Sequence, residues 1–219
     1  MEYSAVVQKN RTILDNFFSG HRELEQIRRE FFEDTGLASR QPSRTGVATG
    51  HQPVIFYPGL FYKNYFTHQL AGQSETKPVN FLVDTDVAAY EVAVPYQAHD
   101  EFYKKQTGLS NHDNLVFSAY EPSEAEVYNF IRDIDRALYT LPNQDIGEAF
   151  KMFKSAFFHF YNERKQFVET VNYLRDDFQQ KKEMNFNNFF VSFITGTYAY
   201  AHYIFYIIEH IEAFRKSYN

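Results

Sequence analysis

The residue types best suited to chemistry in this chain fall in two short runs. The first is Thr49-Gly50-His51-Gln52-Pro53. A histidine at a strand end can donate to a phosphate oxygen or move a proton near neutral pH. Gln52 adds an amide donor and acceptor, and Gly50 allows the backbone close to a ligand. Five residues past Pro53, Pro58-Gly59 reads as a helix start, where free N–H groups and a partial positive charge favour an anion. The second run is Asp84-Thr85-Asp86 at the end of an apolar stretch. Paired carboxylates there can hold a ribose, an amine or a hydrated cation, or split their pKa values for acid–base work. His51, Asp84 and Asp86 are therefore the candidate catalytic residues, and Thr49, Gly50, Gln52, Pro58 and Gly59 the candidate ligand contacts. The opposing reading is structural: His51 and Gln52 satisfy a tight loop, and one aspartate caps the following turn.

The surrounding elements place both runs. Thr45 to Thr49 reads as a short buried strand, Pro58 to Gln73 as a helix, and Val79 to Val83 as a second strand. This is the size of a βαβ crossover. Ligands in such sheets bind outside the carboxyl ends of the strands, so both runs are expected to face one crevice. A third strand is expected over Tyr90 to Tyr96, with Pro95 marking an edge, and a weaker fourth over Leu115 to Tyr120. His99 to Asn114 reads as a polar loop.

Helices dominate the ends. Val6 to Phe18 and Glu23 to Asp34 carry apolar residues at helical spacing, with Gly36 as a C-cap. Ser123 and Glu126 form a capping box before the apolar face Val127, Phe130, Ile131, Ile134 and Leu138. A long helix is expected over Gly147 to Lys182, an irregular stretch over Asn185 to Gly196, and a last helix over Tyr198 to Tyr218. The fold class is α/β. Residues 1–44 form an N-terminal helical segment, 45–122 the α/β core and 123–219 a helical arm. The arm's apolar surface is expected to fold back as a hairpin on the core or to pair two copies as a homodimer.

Composition narrows the partners. Net charge is −6 with no long basic run, so nucleic acid is not expected. The chain has no cysteine, which excludes disulfides and thiolate sites and fits a cytoplasmic protein. Residues Asn185 to Ile208 lack Asp, Glu, Lys and Arg, but contain Asn187, Asn188, His202 and four tyrosines. They read as a buried or half-buried element of a soluble domain rather than a membrane span. His99 and His112, near Asp100, Glu101 and Asp113, lack tight ligand spacing, so no metal is expected. The high aromatic content, Phe 24 and Tyr 17, reads as a compositional bias.

The block from Thr49-Gly50-His51-Gln52-Pro53 through Pro58-Gly59-Leu60-Phe61-Tyr62, then Val79 to Val83 and an acidic strand end, resembles the early part of the bacillithiol biosynthesis cysteine-adding enzyme family. The likeness covers about residues 45–90. It departs at His51, where the family has glutamine, at the inverted pair Pro58-Gly59, and at the shorter acidic run. The chain is more similar to uncharacterised bacterial proteins with a glycine–histidine–glutamine–proline turn and an aspartate–x–aspartate strand end. The resemblance implies a Rossmann-like, nucleotidyltransferase-type parallel sheet and a helical arm able to pair subunits. It also implies a ligase-like or nucleotidyl-transfer-like enzyme acting on a small polar metabolite. The histidine turn is similar to the class I synthetase signature, where such a residue meets nucleotide phosphates, so the implied cofactor is a nucleotide, ATP or ADP. A non-catalytic ligand-binding or assembly domain is the alternative. Such a core has five parallel strands and the sequence offers three or four, so the chain is expected to be the N-terminal portion of a longer protein.

Overall fold

The computed structural model describes residues 3–37, 46–54, 58–74, 76–164 and 166–218. Thr45 and most of the connecting loop before it lie outside the described residues. The chain folds into two compact units that interleave in sequence. One comprises Met1–His51, Tyr57–Val83 and Met184–Asn219; the other comprises Gln52–Phe56 and Asp84–Glu183.

The first unit opens with helices α1 (Tyr3–Gly20) and α2 (Arg22–Asp34). Gly36 ends this pair at φ 68°, the left-handed geometry expected of its C-cap role. Strand β1 (Val47–His51), helix α3 (Pro58–Gln73) and strand β2 (Pro78–Leu82) form the βαβ unit read from the sequence. β1 pairs with β2 in parallel, with His51 opposite Leu82. The third strand is β5 (Asn187–Phe190), parallel to β2 on its other side, giving the order β1-β2-β5. This corrects the reading of Asn185 to Gly196 as irregular.

β2 is central, so both its faces are covered and its sequence runs apolar almost throughout. Val79 and Phe81 meet Phe31, Phe32, Leu37 and Phe189 on one face. The exception is Asn80. Register sets Thr49, Asn80 and Asn188 side by side across the three strands, on the face opposite Val79 and Phe81. Asn80 is fully buried and its amide donates to Asn188 Oδ1 at 2.8 Å. Helix α3 packs on β1 and β2 and buries Leu60, Asn64, Thr67 and Ala71, one helical stripe.

Helix α7 (Val191–Thr195) leads to α8 (Tyr198–Glu209) and α9 (Ile211–Tyr218). The single last helix expected from the sequence is thus broken at His210, whose backbone leaves helical geometry at φ −109°, ψ 24°. α8 packs on α2. Asp34 accepts a hydrogen bond from the Ala199 N–H at 2.9 Å, so α2 caps the start of α8. Among the described residues no helix is long and apolar enough to cross a membrane.

The second unit contains an antiparallel ribbon, β3 (Tyr90–Ala98) and β4 (Glu101–Leu109). β4 overturns the reading of His99 to Asn114 as a loop. The two-residue turn puts His99 and Asp100 at φ 51° and 64°, the geometry of a type I′ hairpin. Leu115 to Tyr120 does not form a strand; one bridge joins Val87 to Val116. Helix α4 (Glu124–Leu138) starts at the Ser123 capping box and lies on both strands. α5 (Gln144–Arg164) and α6 (Phe167–Gln180) form a hairpin where one long helix was expected. Phe150, Phe157 and Phe167 are buried, and Phe157 and Phe167 meet at 5.9 Å. The stretch 123–219 therefore supplies α4–α6 to this unit and β5 with α7–α9 to the other.

Candidate functional site

β1 carries three of the candidate residues. Thr49 is buried in the polar row beside Asn80, and its hydroxyl has no hydrogen-bond partner among the described residues. Gly50 follows, facing solvent. A Cβ built there would meet Phe81 at 3.5–3.6 Å, an ordinary contact, so sheet packing does not demand glycine. His51 is half-buried, and its carbonyl accepts from the Val83 N–H at 2.9 Å, which extends the β1–β2 ladder by one bond. Pro58 is the first residue of α3 and Gly59 the second, exposed, as the reading of a Pro-led helix start requires.

The structure adds a residue that the sequence reading passed over. Lys63, on the second turn of α3, donates from Nζ to the Gly50 carbonyl at 2.6 Å. This brings a cation to the carboxyl end of β1. It is the sole Lys or Arg between Thr45 and Thr76, which was the available signal. The buried polar row was signalled too, by an asparagine inside the apolar run Val79 to Val83. On α3, Asn64 is fully buried with neither end of its amide paired among the described residues. Buried polar groups left this way are uncommon.

The remaining candidates lie in the second unit. Gln52 Nε2 donates to Asp86 Oδ2 at 3.0 Å. Both side chains are exposed, and 34 positions separate them in sequence. The segment following β1 is thereby joined to the acidic turn following β2. Asp84 is only 2 % exposed, so of the two carboxylates Asp86 is the one presented to solvent. Backbone bonds brace the turn. The Asp84 carbonyl accepts from Ser118 N–H and the Asp86 carbonyl from Phe117 N–H, both at 2.9 Å. Ala88 N–H donates to the Leu115 carbonyl, and Asn111 clamps the Ala88 and Leu115 carbonyls. The failed fourth strand is thus the brace of the acidic turn.

No group of three or more His, Cys, Asp or Glu among the described residues could hold a metal ion. No family model, curated protein or solved structure matches the chain. Its class is given by its own architecture: an α/β protein with a three-strand parallel sheet, consistent with the Rossmann-like class.

Proposed function

We propose that the chain is a ligase-like or nucleotidyl-transfer-like enzyme acting on a small polar metabolite, built on a nucleotidyltransferase-type core. The observation that carries this reading is the Gln52–Asp86 hydrogen bond at 3.0 Å, which pairs two residues singled out from separate strand ends. An exposed carboxylate fixed by an amide keeps one orientation and accepts from a hydroxyl or amine of the metabolite. Asp84 supports that turn through its backbone carbonyl, which accepts from the Ser118 N–H.

A nucleotide, ATP or ADP, fits the donor set of β1 and α3. Lys63 supplies a cation at the end of β1, and the start of α3 at Pro58-Gly59 supplies helix-dipole charge for a phosphate. Thr49 and Gly50 line the strand that leads there, and His51 donates to an anionic oxygen or moves a proton. Bound nucleotide would supply the activated phosphoryl or nucleotidyl group. The competing reading is a non-catalytic assembly domain, favoured by the exposed apolar face of α8.

Calorimetric titration with ATP, ADP, cysteine and sugar–malate compounds tests the proposal. Binding of a nucleotide, weakened by roughly 1–3 kcal/mol in His51→Ala with melting nearly unchanged, is the expected result. Silence from every compound sinks the enzyme reading. Strong destabilisation by His51→Ala with binding untouched makes His51 a structural pin of the turn.

A further inference from the structure

Helix α8 turns one side to α2 and, among the described residues, leaves the other without cover. Toward α2 lie Ala199, which is buried, and His202, hydrogen-bonded to Glu30. Away from it, Tyr198, Phe205 and Ile208 are 69 %, 65 % and 59 % exposed, and Tyr200, Ala201 and Ile204 also face solvent. On a 3.6-residue helix these positions fall within one arc of less than half a turn. Ile211 continues the face into α9. At ~150–250 Å² for a whole aromatic side chain, the exposed fractions amount to roughly 600 Å². That is the upper end of what a monomer leaves open, ~300–600 Å², and with a polar rim it approaches the ~800 Å² per partner of a stable interface.

We infer that this face docks a second copy of the chain, with the two α8 helices antiparallel about a twofold axis. Tyr198, Ala201, Phe205 and Ile208 follow the alternating three- and four-residue spacing of a helix–helix seam. A twofold midway between Ala201 and Phe205 sets each Phe205 against the partner's Ala201, large against small, and Tyr198 against the partner's Ile208. Such a patch is complementary to itself, as a closed dimer requires. The charge pattern points the same way. Asn185 to Ile208 contains no Asp, Glu, Lys or Arg, so two chains of net charge −6 meet here without like charges in contact. An anionic bilayer is a poor alternative occupant, because α8 has no Lys or Arg and its polar side engages Glu30 and Glu23.

Light scattering and cysteine cross-linking test the inference on the whole chain. At tens of micromolar the expected mass is twice the 25.9 kDa of one chain. Phe205→Glu should return it to the mass of one chain with an unchanged circular dichroism spectrum; if that variant unfolds, Ile208→Glu replaces it. The chain has no cysteine of its own, so A201C and F205C chains mixed under mild oxidation should form the mixed disulfide several-fold in excess over either self-disulfide. A one-chain mass for the wild type, a dimer indifferent to both glutamate variants, or preferential self-linking of A201C overturns the proposal. So does a monomer captured by phosphatidylserine vesicles.

Discussion

His202 on α8 donates from Nδ1 to Glu30 on α2 at 2.8 Å, while its Nε2 stands 3.7 Å from Glu23. Burial pushes the Glu30 carboxyl up, but the bonds from His202 and Gln26 outweigh it and hold the group below its ordinary value. A depressed carboxylate contributes stability that is complete above the ordinary range, about pH 4.3, and is lost as pH falls through the folded value. Thermal melts from pH 7 to pH 3 should therefore show an acid limb that Glu30→Gln flattens, with a lower midpoint for the variant at neutral pH. An unchanged acid limb would show that the α2–α8 contact does not depend on this pair.

The cap of α4 gives a second expectation. The Ser123 backbone N–H and hydroxyl lie 2.9 and 2.6 Å from Glu126 Oε2, and Glu126 N–H donates to the Ser123 hydroxyl at 3.3 Å. The Ser123 hydroxyl and backbone bonds hold the Glu126 carboxyl below its usual range. Ser123→Ala should cost about 1 kcal/mol in urea unfolding at pH 7. The cost should shrink in acid, where protonated Glu126 no longer holds the box in the parent chain either.

Tyr90 gives an expectation of opposite sign. Its ring is buried against Phe117 and Phe167, at 5.0 and 4.6 Å, and its hydroxyl has no hydrogen-bond partner among the described residues. Burial, then the charges of Glu121 and Tyr120, push its ionisation far above the ordinary tyrosine value, so it stays neutral. Tyr90→Phe keeps the ring and removes a hydroxyl whose burial is uncompensated. Stability should rise by about 1 kcal/mol in denaturant unfolding; a loss of stability would mean that the hydroxyl has a partner.

Gln52 and Asp86 are exposed, so each single substitution, Gln52→Ala or Asp86→Asn, should change stability by under about 0.5 kcal/mol. Ligand binding should respond differently. Asp86→Asn should weaken it by roughly 1–3 kcal/mol, and Gln52→Ala should add little on top, because its role is to orient the carboxylate it has then lost. Additive effects in the four-membered cycle would separate the two residues functionally.

The legible parts of the fold were those set by local pattern. The β1–α3–β2 unit was read within two residues, because glycine, proline and an apolar run punctuate it. The α4 cap was readable for the same reason. β4 was not: all but two of its residues face solvent, so it carries no apolar alternation, and its turn uses His99-Asp100 where Asn-Gly is the usual signal. β5 was hidden because Asn187–Phe190 is short and polar at its start, and becomes a strand only by pairing with residues over a hundred positions away. The α5–α6 break left no trace in periodicity, since Phe160 and Phe167 keep helical spacing across it. At the site, strand ends and residue types named Gln52 and Asp86. The role of Lys63 is not legible in the sequence, because it depends on reaching back across thirteen positions to Gly50.

The interleaved topology has a consequence for how the chain acquires its structure. β2 and β5 are neighbours in one parallel sheet, yet the whole stretch Asp84–Glu183 is made between them. Closing an unstructured loop of roughly a hundred residues carries a large entropic cost and slows pairing. That cost falls sharply if the intervening unit collapses first and brings its own ends together. On the ribosome β1, α3 and β2 emerge early but lack β5 while the roughly hundred residues between β2 and β5 are made, about five to twenty seconds at ~5–20 residues per second. Through that interval β2 presents an open apolar edge, making the nascent first unit, rather than the finished protein, the stage most exposed to mispairing.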